Sequence, residues 1–250
     1  MQISGNTILL TGGTSGIGRA LAEAFHRRGN QVIITGRRQR LLDEITADNP
    51  GMSGFRVDIQ DDAMLAALVS EVGTRFPGLN VLIANAGISS PENMAADGWN
   101  AGIAEAIVDT NIMGVIRTAA AFLPVLKKQA NATFMATSSA LAFVPRTDFP
   151  TYCASKAFLH SWLVSMRHQL RQIPVEVLEL SPPYVQTELT GPGQASDPRA
   201  MPLSAYIAEV MTLIEQQQHP EGEILLEGDK RRRWAEKEGN FDAIFRAMNP

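Results

Sequence analysis

The chain carries a single cysteine, Cys153, in 250 residues. That rules out an internal disulfide and suits a reducing compartment, so a cytoplasmic protein is expected. Histidine is also scarce: His26, His160, His168 and His219 are scattered, and none has a second ligand at metal-motif spacing, so no metal centre is expected. There is no basic excess. Against 22 Lys and Arg stand 26 Asp and Glu, a net charge of -4 that offers no field for nucleic acid or an anionic membrane surface. No unbroken apolar run approaches the ~18 residues of a membrane span. The opening Met1 to Asn6 has neither the basic segment nor the apolar stretch of a secretion signal. A small partner, neutral or modestly charged, fits these absences.

What is present is size and rhythm. With 45% hydrophobic residues the chain can bury a full core, and residues 1–250 read as one domain. Short apolar, β-rich runs alternate with longer amphipathic ones, the pattern of successive βαβ units. Strands are predicted at Thr7 to Thr11, Gln31 to Thr35, Gly54 to Val57, Val81 to Ala84, Thr133 to Ser138, Val175 to Ser181 and Glu223 to Leu226. The expected fold is α/β, a doubly wound seven-stranded parallel sheet with helices on both faces. Ile17, Ala20, Leu21, Ala24 and Phe25 recur at helical spacing, as do Met64, Leu65, Leu68, Val69 and Val72. Proline and glycine crowd Ser181 to Pro202, which predicts an irregular substrate lid at about 183–205. Beyond the last strand, Asp229 to Glu238 and Phe241 to Met248 read as short helices, with Lys230 to Arg233 a solvated face of the first.

Directly after the first strand comes Thr11-Gly-Gly-Thr-Ser-Gly-Ile-Gly18. Gly12 can make a tight turn, Gly16 lets backbone approach a pyrophosphate, and Gly18 lets the next helix pack closely. The free N–H groups of that helix would complete a phosphate site lined by Gly12, Thr14, Ser15, Gly16, Ile17 and Gly18. After the second strand the sequence is Thr35-Gly-Arg37, with no acid to repel a 2′-phosphate and a guanidinium to hold one. NADP(H) is therefore expected over NAD(H). Tyr152 and Lys156 stand four apart on a predicted helix and share a face. A tyrosine beside a cation has a lowered pKa and can exchange a proton with a carbonyl oxygen. Cys153, the helical neighbour of Tyr152, reads as a packing residue.

The glycine spacing, Asn85-Ala-Gly87 and Tyr152-Cys-Ala-Ser-Lys156 together resemble the short-chain dehydrogenase/reductase family, in its shorter single-domain branch with a Rossmann fold. The resemblance spans roughly Thr7 to Leu189. It implies that Asp58 meets the adenine amino group, and that Asn85, Ala86 and Gly87 lie against the adenine ribose. It implies that Lys156 holds the nicotinamide ribose while Tyr152 acts as general acid or base. Ser139, thirteen residues before Tyr152, would bind the substrate oxygen, with Ser138 the rival position. Asn111 would hold a water for a proton relay. Pro182, Val185 and Thr187 match cofactor contacts, whereas Pro183 replaces the usual glycine and must alter the backbone there. The departures resemble a bacterial branch labelled for D-alanine esterification of teichoic acids. Family members are often homodimers or homotetramers. Leu141, Phe143, Val144, Phe149, Tyr184 and Leu189 surround the site in sequence, which predicts an apolar pocket for a carbonyl or alcohol. The alternative is a catalytically silent NADP-binding sensor or scaffold, against which the intact Ser139, Tyr152 and Lys156 argue.

Overall fold

Strands buried on both faces must be apolar on both, and the first run obeys this: Ile8, Leu9 and Leu10 are all at 0% exposure. The computed structural model describes residues 1–219 and 221–250. Its strands are β1 (Thr7–Thr11), β2 (Gln31–Gly36), β3 (Ser53–Arg56), β4 (Leu79–Ala84), β5 (Ala132–Thr137), β6 (Val175–Leu180) and β7 (Glu223–Ile224). They form one 7-stranded parallel sheet in the order β3-β2-β1-β4-β5-β6-β7. The predicted strands differ only at their ends; β7 is the shortest, pairing through Glu223 and Ile224 alone.

The helices are α1 (Gly16–His26), α2 (Gln39–Asp48), α3 (Asp62–Arg75), α4 (Gly102–Val108), α5 (Gly114–Leu126), α6 (Pro150–Gln169), α7 (Leu203–Glu215), α8 (Lys230–Arg233) and α9 (Phe241–Met248). Because successive strand residues point to opposite faces, Ile8 and Leu10 pack with Leu21 of α1, Leu42 of α2 and Val210 of α7. Leu9 packs on the other face with Leu65 of α3, Phe122 of α5 and Leu163 of α6. Strand order reverses between β1 and β4, and this opens a crevice at the carboxyl ends of the strands where ligands of such sheets bind.

Three sequence expectations change. First, α4, a π-helical turn (Asp109–Met113) and α5 join into one helical run, Gly102–Leu126, long and apolar enough to cross a bilayer. Glu105, Asp109 and Arg117 hide it in the sequence, and its buried side, Ile107, Val115, Phe122 and Leu126, makes it a core helix. Second, the helix predicted at Asp229 to Glu238 is a single turn, Lys230–Arg233, followed by turns that end on Gly239 at φ 69°. Arg233 is no solvated residue: both its Nε and Nη2 bind Glu223, at 2.7 and 2.8 Å, and it lies over the rings of Phe143 and Trp234. Third, the irregular excursion ends at Pro202, where α7 takes over. Within it Val185 and Met201 pair as a parallel bridge, and Gln194 is buried with Nε2 donating to the Val185 carbonyl at 2.8 Å.

Candidate active site

The turn between β1 and α1 needs glycine for two separate reasons. Gly12 and Gly16 have φ of 70° and 53°, where other residues are strained. A Cβ on Gly12 would lie 2.8 Å from the Ala86 Cα, and one on Gly18 would lie 2.3 Å from the Gly12 carbonyl oxygen. The backbone thus passes close enough to leave a cradle instead of a side-chain wall. Ser15 makes no side-chain capping bond to α1, so the first-turn N–H groups and the positive end of the helix are left for an anion.

That cradle opens one end of a cavity of about 660 Å³. Every residue predicted for cofactor or catalysis lines it except Asn111. At the β2 end, Arg37 is largely exposed, with Nη1 4.0 Å from Asp58 Oδ2. Arg38 reaches inward: its Nη2 donates to Thr14 Oγ1 at 2.8 Å and to Ser15 Oγ at 2.9 Å. The sequence does not show this role for Arg38, and the only signal is that two arginines follow Gly36. Asn85 ties the strand ends together. Its N–H donates to Thr11 Oγ1 at 3.1 Å, its Nδ2 to the Thr11 carbonyl at 3.3 Å, and its Oδ1 accepts from Thr137 Oγ1 at 3.1 Å.

At the other end stands α6. Pro150 occupies its first turn and Glu92 Oε2 accepts the Thr151 N–H at 3.0 Å, so the helix start is held from outside. Tyr152 and Lys156 are 8% and 4% exposed. Lys156 Nζ donates to the Thr137 carbonyl at 2.8 Å and lies 5.6 Å from the centre of the Tyr152 ring. Burial pushes the Tyr152 phenol up to about 12, while the Ser139 hydroxyl draws it down. Burial pulls the Lys156 amine down to about 8, against the carboxylate of Glu179, which raises it. Ser139 faces the cavity and accepts the Leu141 N–H at 3.1 Å, whereas the Ser138 hydroxyl donates to Glu179 at 2.6 Å. Both serines line the cavity, but the Ser138 hydroxyl is committed to Glu179, whereas the Ser139 hydroxyl acts on Tyr152.

Asn111 sits in the π-helical turn, fully buried. Its Oδ1 accepts the Ile88 N–H at 2.8 Å, and its Nδ2 donates to the Ile88 carbonyl at 2.9 Å and to Ser155 Oγ at 3.1 Å. The side chain therefore clamps the segment after Gly87 to α6. The apolar pocket expected from sequence is mostly not built. Only Leu189 of the six apolar residues lines the cavity. Leu141 and Phe149 pack beside Tyr152. Val144 packs with Ala235 and Ile244, Phe143 stands edge-on to His160, and the exposed Tyr184 donates to Asp197 at 3.1 Å. A residue the spacing could not reveal is Ser89, whose buried hydroxyl lines the cavity and has no hydrogen-bond partner among the described residues. Cys153 is buried as expected, its Sγ 3.7 Å from the Arg146 carbonyl.

Comparison with known proteins defines the class. The short chain dehydrogenase family model matches residues 6–197, and the chain belongs to that family. Among curated relatives it is similar to the uncharacterized oxidoreductase DltE of Bacillus subtilis, 38% identical over 196 residues that cover 76% of this chain and 75% of the relative. Among solved structures, a short chain dehydrogenase from Burkholderia cenocepacia in complex with NADP superposes with a TM-score of 0.83, at 22% identity and 99% coverage of both chains. A family member from Burkholderia phymatum in complex with NAD gives 0.78, at 22% identity, covering 100% of this chain and 98% of that one. At these identities the structural likeness concerns the fold.

The depressed value at Lys156 means that the folded state pays to keep this amine charged. That penalty is full below pH of about 8 and vanishes as pH rises through the ordinary value of 10.5. Lys156→Met is therefore expected, at neutral pH, to raise the melting temperature by about 2–4 °C per kcal/mol relieved. Calorimetry at pH 7 and pH 10 checks this, and a melting temperature lowered at both would contradict it.

Proposed function

We propose that the protein transfers hydride between NADP(H) and a small carbonyl or alcohol substrate, with Tyr152 as general acid or base. The observation that carries this reading is the buried Tyr152–Lys156 pair beside Ser139, at the far end of a cavity that begins at the glycine cradle. The cradle suits a pyrophosphate, and Asp58, Asn85, Ala86 and Gly87 line the stretch where an adenosine would lie. Arg37 and Arg38 favour the 2′-phosphate form, and no acid at the end of β2 opposes it.

When bound, the nicotinamide supplies the hydride. As negative charge grows on the substrate oxygen, the Tyr152 hydroxyl gives up its proton to that oxygen and the Ser139 hydroxyl donates a second hydrogen bond. The Lys156 ammonium lowers the cost of the phenolate left on Tyr152, and its remaining protons can hold a ribose hydroxyl. In oxidation the same groups run backwards, with Tyr152 accepting the proton. Asn111 keeps the Ile88 segment against α6, so Lys156 is not displaced. We extend the proposal to a homodimer or homotetramer, since Ile103, Val108 and Met113 on the long helical run and Phe158 and Val164 on α6 expose apolar side chains. A cytoplasmic location suits the unpaired Cys153.

NADPH and NADH consumption, followed with a panel of aldehydes, ketones and diketones, is expected to reveal reduction that Tyr152→Phe lowers by at least about 10²-fold, the lower end of general-acid contributions. Cofactor binding without turnover of any substrate would point instead to a sensor. Arg37→Asp is expected to shift preference toward NADH; unchanged NADPH affinity would show the assignment wrong. Because reduction needs Lys156 charged, its rate should hold below pH 8 and fall as pH rises through about 8. A profile flat to pH 10 would remove Lys156 from the mechanism.

A further inference from the structure

Glu179 is an ionisable residue one short of the end of a parallel strand, at 0% exposure. A carboxylate there is costly unless it is paired and hydrogen-bonded. One oxygen accepts from the Ser138 hydroxyl at 2.6 Å, and the other is 2.8 Å from His160 Nδ1. Across the sheet its partner in register is Glu223. The ligand atoms of His160, Glu179 and Glu223 all fall within 4.8 Å of one another, which corrects the sequence view of His160 as isolated. The trio has the composition of a divalent-cation site. Both oxygens of Glu223, however, are already engaged by the Arg233 fork, so a guanidinium is the cation here.

Arg233 thus grips Glu223 and also feels the charge of Glu179, whose own hydrogen bonds run to Ser138 and to His160 on α6. On that helix Lys156 and His160 stand four apart, on one side; His160 meets the carboxylate directly, and Lys156, bonded to Thr137 beside Ser138, feels its charge. The other charged or titratable groups around the cluster are Tyr152 on α6 and Glu221, near Arg233. Among the described residues β5 brings only the uncharged Thr137 and Ser138, and the π-helical turn brings Asn111.

We propose that Glu179 is a positioning residue for the Tyr152–Lys156 pair: its buried carboxylate keeps the Lys156 amine charged, and its bond to Ser138 fixes the strand end that carries Ser139. The functional meaning rests on the oxidoreductase reading above, but the electrostatic effect does not. Glu179 supplies the negative charge that opposes the desolvation of Lys156. Without it the ammonium, 4% exposed, would retain a single carbonyl partner among the described residues.

The test is a titration of the cofactor-free protein, following the Lys156 ¹³Cε resonance, assigned by its loss in Lys156→Met. Glu179→Gln, which keeps shape and removes charge, is expected to lower the midpoint by about one pH unit, the scale of a close opposite charge. Ser138→Ala, which removes a hydrogen bond and keeps the charge, should leave it in place. Arg233→Gln, at the rim of the cluster, uncovers Glu223 and should raise it. A midpoint unmoved in folded Glu179→Gln, or moved equally by Ser138→Ala, overturns the proposal. If Glu179→Gln does not fold, Arg233→Gln decides, and an unmoved midpoint there overturns it. The alkaline limb of carbonyl reduction should follow the same shifts. Shifts in the resonance with no turnover of any carbonyl would sink the oxidoreductase reading and leave this one standing.

Discussion

The hydrogen bond from Lys156 to the Thr137 carbonyl joins helix α6 to the last residue of a central strand. An ammonium in that position has lost most of its water, and burial alone would drive the proton off. Much of the surrounding structure acts to keep it there. Gly87 leaves room: a Cβ at that position would meet Asn111 Oδ1 at 3.2 Å and Lys156 Nζ at 3.6 Å. Asn111 locks the neighbouring backbone, and the π-helical turn in which it sits interrupts an otherwise regular helical run at this depth. The stability of this corner and its chemistry are therefore opposed, as is common where a site needs a charge in a dry place.

The two ends of the cavity are held in one frame by Asn85. Its side chain bonds to the end of β1 on one side and to the end of β5 on the other. The glycine turn leaves from the first of these ends, and Thr137, whose carbonyl accepts the Lys156 hydrogen bond, is the second. A shift of either strand would move the phosphate cradle relative to the tyrosine. Precision in such sites is worth orders of magnitude in rate, so a bond that carries no chemistry still has a catalytic consequence.

Elements whose cause is local were legible in the sequence. The β1 run, the glycines that need positive φ or zero bulk, and the Tyr152–Lys156 spacing depend on nearest neighbours or on a single helical turn. What escaped depends on tertiary register. Glu179 and Glu223 lie 44 residues apart and become neighbours only because β6 and β7 pair in parallel. His160 joins them because α6 packs over the same strands. The apolar pocket failed for a related reason. The 3₁₀ turn at Ala140–Ala142 redirects the chain, so Phe143 and Val144 face the C-terminal segment instead of the cavity. Arg38 escaped because adjacent arginines look alike until one of them is seen to fold back on Thr14.

The segment beyond residue 197, outside the family match, is tied to the centre of the site. Between Ser139 and Tyr152 the chain runs through Val144, Pro145 and Thr147, and all three are held by the tail. Val144 packs with Ala235 and Ile244. Asn249 accepts the Thr147 N–H at 2.8 Å and donates to the Pro145 carbonyl at 3.1 Å. Arg233 stacks on Phe143 while gripping Glu223. The distance from Ser139 to Tyr152 is thus set partly by residues that do not line the cavity. In a fold whose glycine turn is read from a short motif, this tail is where the geometry between the Ser139 and Tyr152 hydroxyls can be adjusted without altering either residue.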